Sequence, residues 1–224
     1  MAAIRTLAAH DVVRSVFPRP VTSADEIGMA VGSAIDDTLS HFSNEVRGGR
    51  RPTFAAMGRW AEDVLDRQLE ERDLTLEGPV RAAHLEATFN VIRAFRNTEI
   101  MGMARPRSRL ILINEEVGVY AQPDFWDGRD RFFEMKSYHA VPPPPDVELQ
   151  LQLFQLAFAG FRAYLACFDR HVVPVTTSIV EVAPLVPTTT ERVLRTSLRV
   201  GRALGAPKVL EYLDAPTMRY TVPP

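Results

Sequence analysis

The chain has 224 residues, 46% hydrophobic and 24% charged, with a formal net charge of −2. That length and apolar content suit a single globular domain with a sizeable core, expected to span residues 1–224. The single cysteine, Cys167 in the apolar run LACF, excludes an internal disulfide framework and any cysteine-built zinc or iron–sulfur centre from this chain alone.

No run approaches the ~18 consecutive apolar residues of a membrane span. Arg5, His10, Asp11 and Arg14 interrupt the N-terminal segment where a signal peptide needs a continuous apolar core, so the expected location is cytoplasmic. After a short segment ending in PRP, residues 22–46 combine a Ser/Thr cap, early acids and helically spaced apolar residues, which predicts a helix. GGRRP breaks it. Residues 53–73 repeat the helical period, and Gly78-Pro79 opens a third helix ending near Asn97, so three helices are expected before any strand.

From Arg107 the texture changes. SRLILI and VGVYAQ are short β-type runs, followed by FWDGRDRFFEMKSY with Asp-Gly at its centre, and together they predict a central mixed sheet. Pro142 to Pro145 form an extended connector. Asp146 then opens VELQLQLFQLAFAGFRAYLACF, which reads as one long apolar helix across that sheet. VVPVTTSIVEV follows as strand, TTTERVLRTSLRVGRAL as a helix closed by Gly205 and Pro207, and KVLEYL with MRYTV as a last hairpin. The fold class is therefore α/β (α+β), with a helical portion over about 22–98 and a sheet-containing core over about 99–224.

The chemistry concentrates in GVYAQPDFWDGRDRFFEMKSY. If neighbouring strands run through VYAQPDF and RFFEMKSY, Asp124 and Glu134 face each other, and Lys136 points to the same side as Glu134 because strand side chains alternate. Phosphodiester hydrolysis uses a hard cation to neutralise developing charge and acidify a water, and carboxylate oxygens suit Mg²⁺ or Mn²⁺. An E-x-K triplet arises by chance in roughly one such chain in four. The surrounding pattern narrows this: lysine occurs only at Lys136 and Lys208, and the other 24 of the 26 basic residues are arginine. Arginine is a permanently charged fork, whereas lysine is a compact donor whose pKa can be tuned.

These segments resemble the PD-(D/E)xK nuclease superfamily, specifically the branch with the RecB nuclease domain and the Cas4-like exonucleases. The order there is G-x-x-x-H, G-x-x-D, (D/E)-x-K and Q-x-x-x-Y. Here it reads Gly32-Ser-Ala-Ile-Asp36, Pro123-Asp124, Glu134-Met-Lys136 and Gln150-Leu-Gln-Leu-Phe154, across about residues 25–165. The resemblance implies a restriction-endonuclease-like core. It implies that Asp124, Glu134 and the Met135 carbonyl bind Mg²⁺ or Mn²⁺, that Lys136 is catalytic and that Gln150 supports it. Asp36 stands where the family has histidine and Phe154 where it has tyrosine. The four-cysteine iron–sulfur cluster of Cas4-like relatives is not expected here.

Nucleic-acid contact is expected from Arg192, Arg195, Arg199 and Arg202, whose spacing lines one helix face, and from Tyr138 beside the motif. A plain solvated face explains the arginines equally well. Arg47, Arg50, Arg51, Arg105, Arg107 and Arg109 are further basic candidates, Glu99 an alternative first acid, and Gln152 competes with Gln150. The expected partner is DNA, as single strands or ends, with a protein partner or second copy of the chain left open and no membrane. A catalytically silent module binding DNA or protein, and an endonuclease on the same core, are the rival readings.

Overall fold

The structure, a computed structural model, describes residues 4–204 and 215–223. It begins with strand β1 (Arg5–Ala8) and helix α1 (Ala9–Val16), so a strand precedes the helical portion, contrary to expectation. β1 pairs in parallel with β3 (Val117–Ala121), more than a hundred residues away. No local pattern announces a four-residue strand whose partner is that distant.

The three expected helices are present as α2 (Ser23–Arg47), α3 (Phe54–Glu70) and α4 (Gly78–Phe95). Thr22 caps α2 by accepting the Asp25 N–H while Asp25 accepts the Thr22 N–H, and Thr53 caps α3 through the Ala56 N–H. Pro79 sits in the first turn of α4, where its missing N–H is harmless.

Among the described residues the strands form two four-stranded mixed sheets rather than one. The first has the order β1-β3-β2-β8, with β2 at Arg109–Ile113 and β8 at Thr217–Tyr220. The second is β4-β5-β6-β7: Phe125–Trp126, Arg131–Lys136, Arg162–Asp169 and Thr176–Val182. The α/β class holds, with mixed sheets flanked by six helices among the described residues. The expected strand through VYAQPDF is divided, because β3 ends at Ala121 in the first sheet and Pro123, which has no N–H for a ladder, precedes a short β4.

The long apolar helix also divides. α5 (Pro145–Ala157) stops, Gly160 turns the chain at φ +86°, and the rest of the run is strand β6. β6 lies between β5 (parallel) and β7 (antiparallel). A strand buried on both faces has no polar period, and its apolar run is then indistinguishable from a buried helix by periodicity.

Side-chain alternation on β5 sets the layers. Phe133 and Met135 pack with Ile35, Leu39, Leu65, Ile92 and Phe95 of α2–α4, whereas Phe132 packs with Phe154 and Phe158 at the α5 end. Helices therefore cover both faces of β4–β7. Cys167 is buried among Val147, Leu151 and Leu165, as a core residue.

The last predicted helix is α6 (Pro187–Ala203), which packs on β1, β3, α1 and α5. Its expected terminators Gly205 and Pro207, and KVLEYL, lie outside the described residues. MRYTV supplies β8, which pairs in parallel with β2. No helix among the described residues is long and apolar enough to cross a membrane.

Gly201 marks the tightest helix–sheet approach: a Cβ there would stand 2.6 Å from Cγ1 of Val117, a buried β-branched side chain with little freedom to yield. Gly201→Ala is expected to destabilise the protein by about 1–3 kcal/mol. Thermal denaturation checks it, since about 1 kcal/mol lowers Tm by roughly 2–4 °C at this chain length.

Candidate active site

β4 and β5 form a hairpin whose turn is held by Asp127: its carboxylate accepts the Arg129 and Arg131 N–H groups and pairs with the Arg131 guanidinium, while Gly128 supplies φ +81°. The register Phe125↔Phe133 and Trp126↔Phe132 brings Asp124 opposite Glu134. On the β4 side the ladder stops at Phe125↔Phe133, and beyond it Asp124 Oδ2 accepts the Met135 N–H at 2.8 Å. The short β4, stopped by Pro123, thus leaves a carboxylate bonded to the edge of β5.

Glu134 and Lys136 share the face of β5 turned toward α5. Lys136 Nζ donates to Glu134 Oε1 at 2.8 Å and to Gln150 Oε1 at 3.0 Å. Gln152, the competing residue, instead donates to Glu148 within α5. Phe154, in the Q-motif tyrosine position, packs edge-on to Phe132 in the core.

Glu134 is 4% exposed, and its second oxygen, Oε2, is buried without a hydrogen-bond partner among the described residues. Burial, then the charge of Asp124, push its pKa up to about 8 despite Lys136. Asp36, half-buried on α2, is raised well above the usual carboxylate range by burial and then by Asp124, so the structure brings it into electrostatic reach of the same group. Burial works against the Lys136 ammonium, but Glu134 and Asp124 outweigh it and raise its pKa above the ordinary value.

Three carboxyl groups thus lie within electrostatic reach of one ammonium, too many to ionise together without a further cation, and one buried oxygen has no hydrogen-bond partner among the described residues. That combination fits a hard divalent cation. Among the described residues no three His, Cys, Asp or Glu side chains converge as a ligand group. Mg²⁺ commonly takes only one or two carboxylates and keeps several waters, so Asp124 and Glu134 suffice as a nucleus.

Other candidates lie elsewhere. The arginine stripe is on α6, where Arg192, Arg195 and Arg199 line an open concavity with Thr188, Glu191 and Thr196. Arg195 pairs with Glu191 and Arg202 with Glu116, and no bond from the stripe reaches the carboxylates among the described residues. Glu99 pairs with Arg131, and Arg50 with Glu45. Arg109 lies over the Phe158 and Phe161 rings at 4.4 and 4.9 Å, a packing role. Tyr138 is 37% exposed at the end of β5.

Sequence reading missed Arg170 and Ser137. Arg170 Nη1 donates to Ser137 Oγ at 3.0 Å, one residue beyond Lys136. The only local signal was the pair Gly28 and Gly32, which names no partner.

No protein-family model matches this chain, and no curated protein matches it either. Among solved structures it is similar to a candidate exonuclease from Eubacterium rectale, at 12% identity and TM-score 0.46, over 88% of this chain and 92% of that one. It is also similar to an alkaline exonuclease, LHK-Exo, from Laribacter hongkongensis, at 15% identity and TM-score 0.39, over 91% of each chain. Overlaps this low do not bear on function, which rests on the site's own geometry.

Proposed function

We propose that this chain is a Mg²⁺- or Mn²⁺-dependent nuclease that hydrolyses DNA phosphodiester bonds, an exonuclease of the RecB- and Cas4-like kind acting on single strands or ends. The observation that carries this reading is the buried Glu134–Lys136–Gln150 relay beside Asp124. Asp124 and Glu134 would hold the cation with the Met135 carbonyl, and Asp36 would add charge or a ligand. Such a cation supplies Lewis acidity and lowers the pKa of an attacking water.

The chain's own residues account for the rest. Glu134 and Gln150 hold the Lys136 ammonium in one place, so it can orient a water or donate to a phosphate oxygen as negative charge develops, without reorganising during the reaction. Gln150 sets the direction of the lysine without adding charge. The half-exposed Tyr138 and the arginines of α6 are the proposed nucleic-acid contacts.

Hydrolysis of end-labelled single- and double-stranded DNA with Mg²⁺, Mn²⁺ or EDTA tests the reading. Cleavage is expected only with metal, and mononucleotide release rather than internal nicking is expected for exonuclease action. A folded protein that cleaves neither substrate with either metal would favour the silent-module reading, to which the near-neutral charge also lends weight.

A further inference from the structure

Gly28, Gly32 and Asp36 recur at four-residue spacing and therefore line one face of α2. Arg170, which directly follows β6, lies against that face. Its Nη2 donates to the Gly28 carbonyl at 3.4 Å and its Nη1 to Ser137 Oγ at 3.0 Å, while its backbone N–H donates to the Ser137 carbonyl at 3.3 Å.

The guanidinium lies directly over the two glycines, close enough that a Cβ at either would be in ordinary van der Waals contact with it. A Cβ at Gly28 would stand 3.9 Å from Nη2, and one at Gly32 3.9 Å from Nη1 and 4.0 Å from Ser137 Oγ. Ser137 is buried, at 7% exposure, and the Arg170 Nε is buried with no hydrogen-bond partner among the described residues. A guanidinium desolvated against a helix backbone and a buried hydroxyl is costly to keep unless its placement serves the structure around it.

We infer that Arg170 is a positioning residue: its fork clamps α2, the helix that carries Asp36, to the end of β5, the strand that carries Glu134 and Lys136. This rests on the proposed cation site. The clamp bridges two elements of that site, the helix carrying Asp36 and the strand carrying Glu134 and Lys136. Lysine cannot replace the fork, because one ammonium cannot span a hydroxyl and a helix carbonyl with fixed geometry.

The test is direct Mn²⁺ binding by isothermal titration calorimetry on full-length wild type, Arg170→Lys, Arg170→Met, Ser137→Ala, Asp36→Asn and the double variant Arg170→Met/Asp36→Asn, with melting temperatures alongside. Loss of a residue that orients a ligand typically costs 10- to 100-fold in metal affinity. Arg170→Met and Arg170→Lys are each expected to weaken Mn²⁺ binding about tenfold, and Ser137→Ala in the same direction. In the Asp36→Asn background, Arg170→Met is expected to add little, because Arg170 acts through Asp36.

Additive losses in the double variant, or unchanged Mn²⁺ affinity with a raised KM for DNA, overturn the inference and make Arg170 a substrate contact or a plain packing residue. Should Arg170→Met fail to fold, Arg170→Lys and Ser137→Ala decide it. Wild type that binds no Mn²⁺ overturns the cation site itself; wild type that binds while all clamp variants bind equally well overturns only the role of Arg170.

Discussion

Lys136→Met is expected to lower metal-dependent DNA cleavage by roughly 10²–10³-fold, the usual loss when one preorganised donor to developing negative charge is removed. Nζ bonds both Glu134 and Gln150 and leaves one of its three hydrogens for a reacting group. The protein is expected to fold, since a Glu134 carboxyl with a pKa near 8 already carries its proton at neutral pH and leaves no unpaired buried charge when the ammonium is removed. Asp124→Asn is the companion variant: an amide oxygen can still accept the Met135 N–H but carries no charge for a cation. Single-turnover cleavage and melting curves measure both effects. Either variant cleaving at the wild-type rate places the chemistry elsewhere.

Metal-free stability is expected to fall as pH rises, and Glu134→Gln to remove most of that fall. The sign follows from the raised pKa. Folded Glu134 keeps its proton to about pH 8, whereas an unfolded glutamate loses it near ~4.3. Stability from the protonated, buried carboxyl is fully present below the unfolded value and is lost as pH climbs from there through about 8. Glu134→Gln, neutral at every pH, is expected to be the more stable protein at pH 8.5 without metal, by at least about 2 kcal/mol, or roughly 4–8 °C in Tm.

Metal reverses the comparison. A divalent cation competes with the proton for Glu134, so the rise in wild-type Tm on adding Mn²⁺ is expected to grow between pH 6 and 9, with protons released on binding. Glu134→Gln should show little metal-induced shift. Parallel pH profiles for the two proteins without metal would show that Glu134 is not the titrating group.

Helices α2, α3 and α4 were legible because each carries its own stop and start signals: the Thr22 and Thr53 caps, the GGRRP break and Pro79 in a first turn. Glu134 and Lys136 sharing a strand face was equally local, because alternation follows from backbone geometry alone. The Asp127-Gly128 turn was readable for the same reason, since a short acid and a residue tolerant of positive φ are what such a turn requires.

Tertiary structure alone decided which segments became neighbours. β1 needed a partner at Val117–Ala121 before it was a strand, and the apolar run after Asp146 became helix and then strand because β6 is flanked by β5 and β7. Gln150 rather than Gln152 meets Lys136 because of how α5 lies across β5, and Arg170 reaches Ser137 from 33 residues away. Period, caps and turns are properties of a few consecutive residues and are written in their order. Strand partners, buried clamps and the choice between two glutamines are set by packing between distant segments, where only the folded chain specifies which surfaces meet.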